Sequence, residues 1–311
     1  MRSQPRVVAV VVTWNRRDLL KLALGALRSQ TRAVDQIVVV DNSSADGTAD
    51  MVRRDFAEVD LLTMCRNTGG AGGFAAGMQH ALADHKPDLL WLMDDDTVPE
   101  PSALEELLAT SSRCNGRHPV LLASRVVWSD GRDHPMNTPR RKPWVRPAEA
   151  RRAEAAGAVP IRSASFVSIL VDAKTVEARG LPIADYFLWN DDFEFTTRLL
   201  RRRVGLLCPD SVVVHKTKTF GAAEADPGER FYFEVRNKVW LFTRSRGLNP
   251  VEKATYVAGT ARRWVRTFAA SSDRRALVRE FRRGLRAGLR SKPRPNAEAL
   301  AGARHGEVGD A

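Results

Sequence analysis

Residues 88–101 read "DLLWLMDDDTVPEP". The apolar run stops at Asp94, Asp95 and Asp96, and Thr97, Pro99 and Pro101 lead into a helix-like "SALEELLATS". A short apolar run of this kind is a strand buried on both faces. Three adjacent carboxylates repel one another, so a cluster at the mouth of a buried strand calls for a positive partner.

Working upstream, "VVAVVVTW" (7–14), "QIVVVDN" (36–42) and "DLLTMC" (60–65) read as three more strands. Between them "RDLLKLALGALRSQ", "SADGTADMVRRDF" and "GGFAAGMQHALADH" have helical spacing. This β-α-β-α-β-α-β order predicts an α/β fold, a Rossmann-like, mainly parallel sheet flanked by helices. Ligands of such sheets bind beyond the carboxyl ends of the strands. At those ends stand Thr13-Trp14-Asn15-Arg16, Asp41-Asn42-Ser43-Ser44, Arg66-Asn67-Thr68-Gly69-Gly70 and Asp94-Asp95-Asp96. Four polar exits on one edge argue for a polar ligand pocket.

Downstream, "PVLLASRVVW" and "SASFVSILVDAKTVEA" read as strands, the second running into a helix. The Pro- and Arg-rich residues 129–157 between them read as a long surface excursion. "DYFLWNDDFEFTTRLLRRR" is a loop feeding a helix, and "VGLLCPDSVVVHK" ends a strand at His215. From Gly228 the pattern is helical. This divides the chain into an α/β domain (1–225), a basic helical appendage (226–290) and a tail (291–311) whose polar Pro/Gly/Ala composition predicts disorder.

The chain has 311 residues, 43% hydrophobic and 28% charged, which is the composition of a soluble globular protein. No apolar run approaches the ~20 residues that span a bilayer. The N-terminus reads as a first strand rather than a signal peptide, so the expected location is cytoplasmic. Cys65, Cys114 and Cys208 match no metal spacing and read as small core residues. The net charge of +12 implies an anionic partner, whether nucleic acid, anionic lipid or a phosphorylated substrate.

In an extended chain residues i and i+2 share a side. Asp94 and Asp96 therefore converge while Asp95 faces elsewhere. Two converging carboxylates suit Mg²⁺ or Mn²⁺; the alternative is a helix N-cap cluster. The glycines of "NTGGAGGFAAG" admit a ligand's close approach, or merely a flexible turn and tight helix packing. Asp41 fits a ribose contact or a helix cap. Asp191, Asp192 and Glu194 in "WNDDFEF" are helix-dipole partners unless Asp192 faces the pocket, where it serves as a general base. His215, at a strand end, is either structural or a third metal ligand.

Together, "VVVTWNR", "IVVVDNSSADGT", "RNTGGAGGFAAGM", "WLMDDDTVPEP", "WNDDFEF" and "VVVHK" resemble the inverting family 2 glycosyltransferases, which have the GT-A fold. The glycine-rich piece is similar to the narrower group of bacterial galactofuranosyltransferases, especially the actinobacterial ones that start cell-wall galactan. The resemblance implies that Thr13, Asn15, Arg16 and Asp41 hold the uridine and its ribose. It implies that Asn67 and the turn at Gly70 contact the diphosphate or ribose, and that Asp95 contacts donor sugar or caps the next helix. Asp94, Asp96 and His215 would hold Mn²⁺ or Mg²⁺. Asp192, or its neighbour Asp191, would deprotonate the acceptor hydroxyl. Glu194, Trp189 and Arg236 are candidates for acceptor or diphosphate contacts, and Arg236 and Asn237 of "RFYFEVRNKVWL" are read as facing the active site. The implied donor is UDP-galactofuranose and the implied acceptor a polyprenyl-diphosphate-linked glycan. Two alternatives stand beside this: a rhamnosyltransferase using dTDP-rhamnose, and a non-catalytic nucleotide- or membrane-binding protein on the same scaffold.

The segment 261–290 sets Trp264, Val265, Phe268, Leu277, Val278, Phe281, Leu285 and Leu289 among many arginines. Helical spacing gathers these into an apolar stripe flanked by Arg, which suits a helix on an anionic membrane surface. The protein would then sit peripherally on the inner face of the plasma membrane. The alternative is an appendage packed on the catalytic domain. A nucleic-acid partner is not expected, since no binding motif is present and the acidic pocket would go unexplained.

Overall fold

The computed structural model of the chain describes residues 4–114, 118–217, 220 and 226–303. Strand β1 (Val7–Thr13) is buried along its whole length. It is followed by α1 (Arg17–Arg28), β2 (Gln36–Asp41), α2 (Thr48–Asp55), β3 (Asp60–Thr63), α3 (Gly69–His80), a π-helical turn (Ala81–His85) and β4 (Leu89–Asp94). The strands β3-β2-β1-β4 lie side by side and parallel. Alternate residues of β1 feed opposite faces. Val7, Ala9 and Val11 meet Leu20, Leu24 and Leu27 of α1, whereas Val8, Val10 and Val12 meet Phe74 and Met78 of α3. The sheet therefore carries a helical layer and an apolar core on each side. Helix α3 lies close on the sheet because Gly73 and Gly77 leave room for Val12 and Val40.

The second half adds β5 (Thr97–Pro99), α4 (Ala103–Arg113), β6 (Leu121–Val127), β7 (Arg140–Arg141), α5 (Pro147–Ala155), β8 (Val159–Ser163), β9 (Ile169–Asp172), α6 (Ala173–Arg179), α7 (Asp191–Leu199) and β10 (Gly205–His215). The full order is β3-β2-β1-β4-β9-β6-β10-β8-β7, with β5 also on β10. Strand β9 runs antiparallel to both β4 and β6, so β4, β6 and β10 point the same way as β1 to β3. The sheet is mixed but mainly parallel in direction.

The excursion at 129–157 is more structured than its composition predicts. It holds β7 and α5, with Pro147 at a favourable first helical position and Ala153 and Ala156 buried in the core. Its first part folds over the carboxyl edge of the sheet.

Helices α8 (Phe231–Thr243), α9 (Pro250–Ala270), α10 (Arg274–Arg290) and α11 (Asn296–Ala299) complete the chain. The apolar stripe of 261–290 mostly faces inward. Trp264, Phe268, Leu277, Phe281 and Leu285 pack around Phe231 and Val235 of α8. Gly284 and Gly288 let α10 approach α8, since a Cβ at either would meet α8 atoms under 3.0 Å away. Of the stripe, Val265, Val278 and Leu289 stay exposed. Aromatic side chains gain more by covering α8 than by facing water, which is why the packed alternative holds for most of the stripe.

The tail also differs from its expectation of disorder, up to Ala303. Arg294 pairs with Asp185 at 2.7 Å, and Asn296 accepts from the Ala184 N–H at 2.9 Å. Ala299, Leu300 and Ala303 are buried against the α3 side of the sheet. These three apolar residues dock it together with the Arg294 ion pair and the Asn296 hydrogen bond. Residues 304–311, and the 221–225 segment before the expected boundary, lie outside the described residues.

Candidate active site at the carboxyl edge of the sheet

Strand β4 ends at Asp94, and the chain turns at Asp95 and Asp96 into β5. Strand β5 pairs antiparallel with the end of β10, setting Thr97 opposite His215. That register brings ligating atoms of Asp94, Asp96 and His215 within 4.8 Å of one another. His215 Nε2 lies 2.9 Å from Asp96 Oδ1, and its Nδ1 lies 2.9 Å from the side-chain oxygen of Asn137. An amide oxygen only accepts, so Nδ1 donates to it; Nε2 faces Asp96, donating to that carboxylate when the ring is protonated and free to ligate a cation when it is not. Two carboxylates and an imidazole are a fitting donor set for a divalent cation.

The cluster is electrostatically tense. Burial, with the charge of Asp96, pushes the Asp94 carboxyl up to about 7. Burial pushes Asp95 up to about 6 against the pull of Arg16. Burial also works to raise Asp96, but the hydrogen bond and charge of His215, with Arg16, outweigh it and hold Asp96 down. Arg16 supplies the local positive charge, its Nη1 lying 2.6 Å from Asp96 Oδ2 and 3.2 Å from Asp95 Oδ1. Asp95 does not cap the next helix. It turns toward β1 and accepts from Thr13 Oγ1 at 2.8 Å.

The other strand exits are tied to one another. Thr13 and Asp41 are register partners, both buried. Asp41 accepts from the Ser44 N–H at 3.0 Å. Asn15 adopts a left-handed backbone (φ 53°) and accepts from the Ala45 N–H at 2.7 Å, which joins the exits of β1 and β2. Asn67 shapes the glycine turn by accepting from the Gly69 N–H at 2.7 Å. Gly69 itself (φ 71°) sits against the Phe187 carbonyl, where any Cβ would clash, whereas Gly70 has open space around it. The glycine run thus serves packing at Gly69, Gly73 and Gly77 and is open at Gly70. Buried Asn42, adjacent to Asp41 in the sequence and passed over there, donates to the Gly69 carbonyl and accepts from Thr68.

The second acidic group is held differently. Phe187, Trp189 and Asn190 all have positive φ, between 63° and 67°. Each such non-glycine residue costs about 1–2 kcal/mol, so the loop needs external support. Asn237 provides it, its Nδ2 lying within 2.9 Å of the carbonyls of Tyr186, Leu188 and Trp189. Arg236 donates to the carbonyls of Asp185 and Tyr186, and Asn190 donates to Glu234 at 2.8 Å. The loop delivers Asp191 and Asp192 as the first residues of α7. Burial pushes Asp191 well up, with Asp192 and Asp94 adding to it. Burial also raises Asp192, moderated by the Phe193 N–H and the charges of Lys238 and Arg140.

Asp192, not Asp191, lines a cavity of about 570 Å³. Trp189 and Trp264 form part of its wall, and Arg140, Arg230, Lys238 and Arg263 place cations around it. Burial lowers the Lys238 ammonium to about 8. Glu194 and Arg236 do not meet the cavity as contacts. Glu194 is buried between Arg198 and Ser245, and Arg236 is stacked on Trp240 while it holds the 185–186 backbone. Asn137, Arg140 and Lys238 were not singled out as site residues by the motifs. The first two lie in the charged excursion, and Lys238 in a helix whose aromatic pattern dominates its polar residues.

Residues 8–173 match the sequence profile of glycosyl transferase family 2. Galactofuranosyltransferase GlfT1 of Mycobacterium tuberculosis strain H37Rv is 34% identical over 258 residues, covering 76% of this chain and 82% of that protein. Its counterpart in Mycolicibacterium smegmatis is 35% identical over 201 residues, 63% of this chain and 65% of that one. Among solved structures, a mannosyltransferase from Pyrobaculum calidifontis with GDP-Man and Mn²⁺ aligns with a TM-score of 0.54 at 19% identity, over 96% of this chain and 79% of that one. S. aureus TarS (residues 1–349) with UDP aligns at 0.60 and 15% identity, over 86% of this chain and 72% of that one. At these identities the structures show the shared GT-A fold alone. The carboxyl-edge acids, the profile match and the similarity to the two mycobacterial enzymes lead to one conclusion: the chain is a glycosyltransferase and belongs to glycosyl transferase family 2.

Proposed function

We propose that this chain is a metal-dependent inverting galactofuranosyltransferase that moves galactofuranose from UDP-galactofuranose onto a polyprenyl-diphosphate-linked glycan in cell-wall galactan synthesis. The observation that carries the reading is one carboxyl edge with two acidic groups: a cluster fit for a cation (Asp94, Asp96, His215) and a buried carboxylate on a cavity wall (Asp192). The galactofuranosyl specificity is supported by the two mycobacterial relatives.

Mn²⁺ or Mg²⁺ at Asp94, Asp96 and His215 would supply Lewis-acid neutralisation of the departing nucleoside diphosphate. Thr13, Asn15, Arg16 and Asp41 line the strand exits where uridine and ribose fit, with Asn67 and Gly70 beside the diphosphate. Asp192 is the general base. Its raised affinity for protons suits it to take the hydrogen of the acceptor hydroxyl as that oxygen attacks the anomeric carbon. The bond from that carbon to the UDP oxygen breaks on the opposite face, which inverts the centre. Arg140, Arg230, Lys238 and Arg263 suit an acceptor that carries a diphosphate, and Trp189 and Trp264 suit its sugar and lipid faces.

The test is incubation with UDP-galactofuranose, Mn²⁺ and a synthetic lipid-linked disaccharide, with the product mass read directly. Addition of one or more hexose units is expected. Transfer from dTDP-rhamnose but not from UDP-galactofuranose overturns the donor, and no transfer from either overturns the galactofuranosyl reading.

No helix among the described residues is long and apolar enough to cross a membrane. Peripheral docking on the inner face of the plasma membrane is supported by α10, whose outer face exposes Arg275, Arg279, Arg282, Arg286 and Arg290 beside Val278 and Leu289. Each such charge near an anionic bilayer contributes about 1 kcal/mol. Arg282→Glu with Arg286→Glu should abolish co-sedimentation with phosphatidylserine vesicles; unchanged co-sedimentation counts against the docking.

A further inference from the structure

Among the described residues, a second group of ligating side chains lies away from the carboxyl edge. Ligating atoms of Asp60, His80 and His85 fall within 4.8 Å of one another. Asp60 opens β3, at the amino end of the sheet, and His80 closes α3. Helix α3 begins at the glycine turn, and its 12 residues span about 18 Å. The group is therefore at the opposite end of α3 from the candidate active site.

Local geometry explains how the two histidines meet. Five residues of regular α-helix turn through about 500°, which would leave His85 well around the helix from His80. Instead, Ala81–His85 widens into a π-helical turn. Wide turns of this kind bond i to i+5 and recur at functional sites. Both Nε2 atoms then reach the same oxygen, Asp60 Oδ2, His80 at 2.6 Å and His85 at 2.7 Å. His80 Nδ1 lies 2.7 Å from Asp84 Oδ2.

Counting protons sharpens the point. A neutral His80 that donates Nδ1–H to Asp84 presents a bare Nε2 to a carboxylate oxygen. Lone pair against lone pair at 2.6 Å is repulsive unless a cation lies between. At 2.6 Å that cation is a proton; a zinc about 2.0–2.1 Å from each donor needs the donors about 3.3 Å apart, so these partly exposed side chains open by about 0.7 Å to admit it. Two imidazoles and a carboxylate converging on one point are the donors of a tetrahedral zinc site, and a carboxylate behind one histidine is the usual orienting partner. With two of three donors nitrogen, the set suits Zn²⁺ rather than the harder Mn²⁺ or Mg²⁺. The three side chains are 18–31% exposed, which leaves access for a water as fourth ligand.

We propose that Asp60, His80 and His85 form a second metal site, for Zn²⁺, with Asp84 orienting His80. The ion clamps the start of β3 to the end of α3 and so fixes the helix whose other end carries the glycine turn. It takes no part in glycosyl transfer.

The test uses the full, untagged chain carrying Asp96→Asn and His215→Ala, so that the carboxyl-edge cluster does not compete. After equilibration with Zn²⁺ alone and removal of excess, atomic emission should find one zinc per chain, and none after a further His85→Gln. Zinc at a hundredfold excess over its Kd should raise Tm by about 5 °C, a rise that His85→Gln removes. Asp84→Asn, which keeps all three ligands, should weaken zinc binding about 10- to 100-fold while circular dichroism stays unchanged. The proposal is overturned if the folded Asp96→Asn/His215→Ala chain holds no zinc, if zinc survives His85→Gln, or if equimolar Mn²⁺ displaces it.

Discussion

The two acidic groups of the candidate active site are built by opposite means. The cluster at the end of β4 follows from strand register: β5 turns back onto β10, and Asp94, Asp96 and His215 meet because Thr97 pairs with His215. The loop before α7 has no such frame. Three left-handed residues present Asp191 and Asp192, and the loop keeps that shape because Asn237 and Arg236 of α8 grip its carbonyls. The sheet makes one half of the site, and a helix from the C-terminal region makes the other. A glycosyltransferase built this way can hold the cation-cluster side rigid while the Asp192 side depends on helices packed outside the sheet.

The comparison is broken first by separating the two halves chemically. Asp192→Asn removes the proposed base without touching the cation cluster. Turnover should fall about 10²- to 10⁴-fold, with UDP binding in the presence of Mn²⁺ retained by calorimetry. Asp96→Asn should do the reverse and weaken metal-dependent UDP binding. Loss of UDP binding in Asp192→Asn would mean that the halves are not separate.

The second test acts on the support rather than the acid. Asn237→Ala leaves the Leu188 and Trp189 carbonyls without this donor, each such group being worth about 1–3 kcal/mol, while Arg236 still serves Tyr186. The strained loop should then relax. We expect kcat to fall more than tenfold and Tm to drop by several degrees, while the Mn²⁺ requirement stays as in the parent chain. An unchanged kcat would show that Asp192 is positioned by α7 alone.

The difference between the halves also explains what the sequence disclosed. Buried parallel strands write themselves as apolar runs, and a carboxylate just past a run is visible, so β1 to β4 and the Asp94–Asp96 pair were legible. Asp192 was legible as an acid at a helix start. Arg236 and Asn237 were read as facing the site, but not as its supports, since their bonds go to backbone atoms, which leave no sequence pattern. Asn137 and Arg140 were hidden in a stretch that reads as a charged surface loop. The segment 291–303 misled for the same reason: its polar composition conceals three residues, Ala299, Leu300 and Ala303, that dock on the core. The arginine-flanked stripe of α10 was read from its helical period, but periodicity tells only that a face is apolar. Whether that face meets a membrane or Phe231 is decided by a helix elsewhere in the chain.

The smallest expected effect sits where the halves touch. Asn137 comes from the 129–157 excursion, lines the cavity that holds Asp192, and accepts from the Nδ1 of His215 in the candidate cation cluster. Its role there is to fix the ring tautomer. With the acceptor removed in Asn137→Ala, Nδ1 can lose the proton to Nε2, and a protonated Nε2 cannot ligate. The expected result is a 10- to 100-fold rise in the Mn²⁺ concentration for half-maximal activity, with kcat at saturating metal nearly unchanged. Asn137→Asp, which still accepts, should restore the Mn²⁺ dependence. Because Asn137 also faces the cavity, the acceptor KM must be read alongside: a change in KM with no change in Mn²⁺ dependence would place Asn137 on the acceptor half alone. A shift in both would make it the residue through which the sheet-built half and the helix-built half are joined.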